Sequence, residues 1–312
     1  MRSHALALAA TLGVFASIAT FAGCGSDETG DSTGASGTGA AGTSSSTGTG
    51  GAGPSSGTGN TGGQPPTCDV ESVEGMGPML TPGLISATIL DVAGDPVSGS
   101  EVQLCGINKC LYGETDSSGF ASVDGAGQPL DRPAFKFGDG LTHARFAVLL
   151  DESSADLGEL VTAELPGSGA EMTAGGEATS GPVTLAFADD AIIEVDELIY
   201  DEPNEQTFRA VSVPAAQVVP EINMPAGIEL VYGVGPLVTK FCPRAQVTVA
   251  NDAGWEPGAE VEFWAHGVDV FEYAVSYGGW ARVSDGVVSE DGTTVSTTEG
   301  FELLTTFGVK LK

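Results

Sequence analysis

Cysteine, histidine and tryptophan are the residues of this chain with the most chemistry to offer, and they are few: five, three and three. Cys24 stands alone near the amino terminus, whereas Cys68, Cys105, Cys110 and Cys242 form an even set downstream. Four thiols allow three pairings, and an even count in an oxidising compartment favours disulfides. Cys105 and Cys110 bracket only Gly106-Ile107-Asn108-Lys109, so the preferred pairing is Cys105 with Cys110 and Cys68 with Cys242. Zinc is the weaker alternative, because the spacing lacks the second close pair of a tetrahedral thiolate site.

Hydrolysis through a nucleophile, an imidazole and a carboxylate requires the three side chains together, in any chain order. His143 stands beside Thr142 and near Arg145, and His266 follows Trp264-Ala265, where it ends a strand. Neither accompanies a strained nucleophile turn, so no residue is assigned a catalytic role. Gly48-Thr49-Gly50-Gly51-Ala52-Gly53 fits a dinucleotide fingerprint and Gly53-Pro54-Ser55-Ser56-Gly57 a nucleophile elbow. Both motifs need a strand before and a helix after them, and their surroundings supply neither.

Trp255, Trp264 and Trp280 fall within 26 residues, with Phe271, Tyr273 and Tyr277 among them. Exposed rings flanked by Asp269 and Glu272 would stack on sugar rings, which makes Trp255 and Trp280 the candidate ligand-binding residues. Packing is the favoured use of so much apolar area in a small β-fold. Trp255, in a turn, is the ring with the best claim to exposure. Asp189, Asp190, Asp196 and Glu197 put four carboxylates in nine residues. They converge on one calcium ion only if their strand bends, because alternation in a straight strand sends them to opposite faces. A solvated acidic surface is the favoured reading. Asp116 and Asp124 likewise read as turn residues, since the alternate ligands and closing Glu of an EF-hand are missing. No metal and no cofactor is called for.

The elements that position these residues begin with a leader. Arg2 is the only Lys or Arg in residues 1–23, and Ala5 to Gly23 carries no charge. That length would also suit an uncleaved membrane helix, and small residues before the cut also suit an ordinary secretory signal. Phe21-Ala22-Gly23-Cys24 resembles the lipobox of bacterial lipoproteins, with Phe21 where an aliphatic residue is usual. The resemblance implies cleavage before Cys24, a thioether-linked diacylglycerol on Cys24 and an N-acyl chain, palmitate-like in kind. Buried chains contribute about 0.8 kcal/mol per CH₂, and two or more anchor stably where one does not. Gly25 and Ser26, with no Asp after the Cys, imply passage to the outer membrane or cell surface.

Residues 25–67 hold 31 Gly, Ser or Thr and no Val, Ile, Leu, Met or aromatic residue. Such a stretch cannot bury enough apolar surface to offset chain entropy, so it reads as a disordered linker. Its r.m.s. span is roughly 35 Å by the scaling of Gly-rich chains. The whole chain has 42 acidic residues against 11 Lys or Arg, a formal charge of −31. Nucleic acid and anionic lipid are repelled by such a surface, which excludes nucleic-acid partners. From Phe146 to Phe208 there are 15 Asp or Glu and no Lys, Arg or His.

From Val70 onward, short β-branched runs alternate with turn signals about every ten residues, and no helical period persists. The fold class expected is all-β: two β-sandwich modules after a signal peptide and a disordered linker. Gly94-Asp95-Pro96-Val97-Ser98-Gly99-Ser100-Glu101-Val102-Gln103-Leu104, with Thr115-Asp116-Ser117-Ser118-Gly119-Phe120, resembles carboxypeptidase-regulatory-like modules. That likeness, over about residues 82–125, implies a transthyretin-type sandwich without catalytic residues. The Cys105 and Cys110 pair is an insertion relative to those modules. Asn251-Asp252-Ala253-Gly254-Trp255-Glu256-Pro257-Gly258, Gly279-Trp280 and the hairpin signal Asp291-Gly292 are similar to uncharacterised, repeated extracellular β-modules. The terminal segment alternates, with Phe301, Leu303, Thr305, Phe307, Val309 and Leu311 on one face. The domains expected are therefore 1–23 signal peptide, 24–67 lipidated Cys and linker, 68–139 first sandwich, and 140–312 acidic second module. The function expected is non-catalytic: envelope architecture, adhesion or protein interaction, with polysaccharide or substrate capture as the alternative and a hydrolase as a minor one. The membrane, through Cys24, is the expected partner, together with a polysaccharide or another surface protein.

Overall fold

In the computed structural model, residues 68–73, 75, 77–218 and 222–312 are described. The leader, Cys24 and the linker lie outside the described residues. The chain from Cys68 onward is all-β, with a 3-10 turn at Ala215–Gln217.

The first strands are β1 (Met79–Leu80), β2 (Leu84–Leu90), β3 (Glu101–Gly106), β4 (Lys109–Glu114) and β5 (Phe120–Asp124). They continue as β6 (Leu130–Asp131), β7 (Ala134–Phe137), β8 (Phe146–Leu149) and β9 (Asp156–Val161). β2 pairs antiparallel with β5 and parallel with β9, giving the order β5-β2-β9. A second sheet has the order β4-β3-β7-β8. Strict alternation explains both. In β2, Ile85, Ala87 and Ile89 point inward, as Ala121 and Val123 do in β5. In the four-stranded sheet Val102, Leu104, Phe135, Phe137, Phe146 and Val148 share the inner face, and these two sets form one core. β7 and β8 lie on either side of residue 139 in the same sheet, and β9 closes onto β2.

The later strands are β10 (Glu177–Ser180), β11 (Val183–Ala186), β12 (Ile192–Glu194), β13 (Arg209–Pro214), β14 (Leu230–Gly235) and β15 (Lys240–Ala250). β16 (Glu260–His266), β17 (Trp280–Val288), β18 (Thr294–Thr297), β19 (Phe301–Leu303) and β20 (Phe307–Leu311) complete the chain. They form one sheet of order β10-β11-β15-β18-β17-β16-β20-β14-β13, with β12 and β19 pairing the near end of β15. This sheet rolls until its two edges meet: Ala210 N–H of β13 donates to Ser180 Oγ of β10 at 3.0 Å. Rolling covers both edge strands, which otherwise offer open pairing sites. The enclosed core includes Val183, Leu185, Tyr232, Val247, Phe263 and Phe307. The outward residues of β13 and β14, Val213 and Val231, pack instead into the first core. Gly233 makes that approach possible, because a Cβ there would lie 2.1 Å from the Ala144 Cβ.

Two disulfides brace the described chain, Cys68–Cys242 and Cys105–Cys110. The first ties the segment entering the body to β15 across 174 residues, and the second closes the β3–β4 hairpin, where the two residues are cross-strand partners. The hairpin signalled by Asp291-Gly292 joins β17 to β18: Asp291 Oδ1 accepts from Ser289 Oγ, Thr293 N and Thr293 Oγ1. The terminal alternation differs from expectation. It is cut at Leu304–Thr306 into β19, which pairs β15, and β20, which lies between β14 and β16. The cause is local bonding. Leu304 exchanges backbone bonds with Val238 and Thr239, Thr305 Oγ1 donates to His266 O, and Thr306 Oγ1 donates to Arg145 O.

Candidate functional site

The four-stranded sheet has a second face, and its two ends are treated differently. Glu101, Gln103, Tyr112, Lys136, Cys105, Cys110, Ala134 and Ala147 all point to this side, as the register of β3, β4, β7 and β8 requires. At one end Tyr277 covers it, donating its hydroxyl to Cys105 O at 3.2 Å and packing with Cys105, Ala134 and Ala147. The loop that carries Tyr277 is held by a buried ion pair between Arg132 and Glu272, and Glu272 also accepts the Tyr277 N–H at 3.0 Å. At the other end the face is open. There it floors a cleft of about 510 Å³ whose opposite wall comes from the segments around Ile199–Tyr200, Leu237–Val238 and Val268–Phe271. A smaller lobe of about 180 Å³, lined by Glu194, Lys240 and Tyr273, shares Ile199, Val238, Asp269 and Phe271 with it.

Lys136 sits where the covered and open halves meet. It is 6% exposed, and its ammonium lies 5.1 Å from the centre of the Tyr277 ring. No carboxylate among the described residues comes within ion-pairing distance of it. Burial pulls this ammonium down to about 8, and Arg145 pushes the same way, while Asp269 and Glu101 oppose. Asp269 is the matching acid. Burial raises its carboxyl above the usual range, against the backbone N–H groups of Phe271 and Val270 and the charge of Lys136. Its Oδ2 is buried without a hydrogen-bond partner. A buried acceptor left unsatisfied costs about 1–3 kcal/mol, so such atoms invite a ligand or an ordered water.

The other charged groups of the cleft are committed. Arg145 Nε donates to Gly138 O at 2.8 Å. Burial opposes ionisation of Asp139, but bonds from the Thr142 hydroxyl and from the N–H groups of His143, Leu141 and Thr142 prevail and lower its pKa. On the rim, Tyr112, Ile199 and Phe271 are exposed by 65%, 51% and 61%. Leu198 beside them is almost wholly in solvent.

The residues singled out by sequence lie elsewhere. Trp255 is buried at 7% exposure in the core of the rolled sheet, and its indole N–H donates to Glu229 Oε1 at 3.3 Å. The turn that was to expose it instead folds it inward: Asn251 accepts the Trp255 N–H and donates to the Trp255 and Gly292 carbonyls. Trp280 is half-buried, stacked on His266 at 4.6 Å, with its N–H bonded to Ile222 O at 3.0 Å. Trp264 is half-buried under Lys310, 4.9 Å from the ring centre. The three indoles therefore form no shared exposed platform. His266 does end β16 and is fully buried, accepting from Ala147 N at 3.1 Å and bonding Gly279 O at 3.0 Å. Near His143 the hydroxyl of Thr142 stands between the carboxylate of Asp139 and the imidazole Nδ1. A hydrolytic triad needs the imidazole in that middle place. Asp116 makes a turn, accepting from Ser118 N, Ser118 Oγ and Phe120 N. Among the described residues, no three His, Cys, Asp or Glu side chains gather as a metal-holding group.

Lys136 and Asp269 went unremarked as a pair because 133 residues separate them, and the only sequence hint is a lone Lys inside the apolar run Ala134-Phe135-Lys136-Phe137. Compared with family models, with curated proteins and with solved structures, the chain matches none of them.

Proposed function

We propose that this chain is an exported bacterial lipoprotein whose folded part is a non-catalytic interaction body, anchored at Cys24 and held off the membrane by the Gly/Ser/Thr linker. The observation that carries the reading is the pair of disulfides in a β-body that follows a leader uncharged from Ala5 to Gly23 and a lipobox-like Phe21-Ala22-Gly23-Cys24. Disulfides persist in oxidising compartments, which agrees with export. Two or three acyl chains on Cys24 would hold the protein to a bilayer for its lifetime. The apolar rim of Leu198, Ile199 and Phe271 offers a contact surface on a body otherwise rich in acid.

Expression of the full chain in a Gram-negative host tests this. The expected product fractionates with membranes, and mass spectrometry of its first peptide begins at a Cys24 that carries diacylglycerol and an N-acyl group. Cys24→Ser should abolish both. A soluble product with an unmodified Cys24 overturns the anchor, and a product retaining Met1 overturns cleavage.

A further inference from the structure

We infer that the cleft over the open face of the four-stranded sheet is a binding site for a neutral, hydroxyl-rich ligand, a saccharide unit held between Lys136 and Asp269. The inference gives the interaction body a ligand class, and it stands independently of whether Cys24 is acylated.

Three observations converge on that chemistry. Lys136 is a buried lysine whose ammonium has no carboxylate partner among the described residues, and Asp269 Oδ2 is a buried acceptor without a partner among them. Their charges act on one another, yet the two groups stand too far apart for an ion pair. A ligand that satisfies both must accept on one side and donate on the other. Hydroxyl groups on adjacent ring carbons do this without bringing charge, since each hydroxyl both donates and accepts.

An anion would meet Asp269, Asp139 and Glu101 in the same cleft on a chain of net charge −31. A cation would meet Lys136 and Arg145 on the floor. Neutrality fits both constraints. The lips supply the remaining element: the rings of Tyr112 and Phe271 and the side chain of Ile199 are exposed and give flat or apolar surface for the C–H face of a sugar ring. A volume of about 510 Å³ lies within the usual 300–1,000 Å³ of small-molecule sites, and the second lobe extends it past Asp269 toward Lys240 and Tyr273.

The test is titration calorimetry of the full-length mature protein in detergent. The probes are oligosaccharides cut from β-glucan, xylan, galactan, mannan and chitin, with polygalacturonate and a Gly-Ser peptide as charged and amide comparisons. At least one neutral oligosaccharide should bind, and Lys136→Met and Asp269→Asn should each weaken it tenfold or more. Phe271→Ala and Tyr112→Ala, both at exposed positions, should weaken it without lowering the unfolding temperature. Lys136→Met is expected to unfold at a higher temperature than the parent, so its loss of binding is not a loss of fold. The inference falls if no neutral oligosaccharide binds, if binding survives both cleft substitutions, or if only polygalacturonate or the peptide binds.

Discussion

His266 shows how a single buried side chain writes itself into the stability of this protein. Its imidazole is fully enclosed between Phe146 and Trp280, and burial pulls its pKa down to about 4 despite the bond to the Gly279 carbonyl. The unfolded chain binds a proton near pH 6.5, so between pH 6.5 and 4 it binds more protons than the folded one. Stability should fall across that window as pH drops, by up to about 3 kcal/mol. Asp269, with its raised pKa, works in the opposite direction. Asp291 and Glu299, held at about 2 by hydroxyl and backbone donors, add a separate loss only below about pH 4. Urea midpoints measured from pH 7 to 3 should show the two phases, and His266→Gln should start less stable but lose the upper one. Lys136 has the mirror-image behaviour. Its folded pKa of about 8 lies below the unfolded value of 10.5, so parent stability rises between pH 8 and 10.5. Lys136→Met should therefore stabilise by about 1–3 kcal/mol below pH 8, with the gain fading toward pH 10.5. Equal midpoints for parent and variant at pH 7 would show that the ammonium is solvated after all.

At the scale of elements, the two disulfides have unequal tasks. Cys68–Cys242 closes a loop of 174 residues and Cys105–Cys110 one of five. On the chain-entropy model these are worth at most about 5 and about 2 kcal/mol. Cys68→Ser with Cys242→Ser should lower the chemical-denaturation midpoint more than Cys105→Ser with Cys110→Ser; the reverse order would argue that β3–β4 strain or packing governs. Gly119 offers a sharper local test. It holds φ +77° after Asp116, and an added Cβ would lie 2.4 Å from Ile89 O, so Gly119→Ala should cost about 2 kcal/mol or more in thermal unfolding. That turn was legible because Asp116 and Gly119 carry their own mechanism. A strand such as β2 carries the same kind of local signal, since Ile85, Ala87 and Ile89 alternate with Ser86 and Thr88. The Cys pairing followed from spacing alone. The fate of Trp255 was not legible, because turn residues predict a turn without saying to which side its tryptophan folds. Nor was the break at Leu304–Thr306, where Val238, His266 and Arg145, all remote in sequence, decide the path. The cleft escaped for the same reason: β3, β4 and β7 give its floor, while residues near 199, 237 and 269 give its wall.

The molecule as a whole carries an electrostatic imbalance that its pairings do little to relieve. Residues 68–312 contain 39 Asp or Glu against 10 Lys or Arg, and Arg132, Lys136 and Arg209 of those ten are buried. Most surface cations are gathered late in the chain: Arg282 and Lys310 meet Glu262, Lys312 meets Asp285 and Glu260, and Arg244 meets Glu302. Two effects of salt then compete. Added ions weaken these exposed pairs, each worth about 0–1 kcal/mol. They also screen the repulsion among the many unpaired carboxylates, whose reach contracts from about 30 Å at 0.01 M to about 10 Å at 0.1 M ionic strength. Self-repulsion destabilises a compact state with so large a net charge, and the excess of 29 negative charges far outnumbers the pairs that salt would loosen. The unfolding temperature should therefore rise by several degrees between 0.01 and 0.5 M sodium chloride at pH 7. Adding the same salt at pH 4, where many carboxylates are protonated, should raise it much less. A fall in unfolding temperature at pH 7 would mean that the cluster on β16, β17 and β20 outweighs the repulsion, and Arg282→Gln would then remove most of the salt dependence.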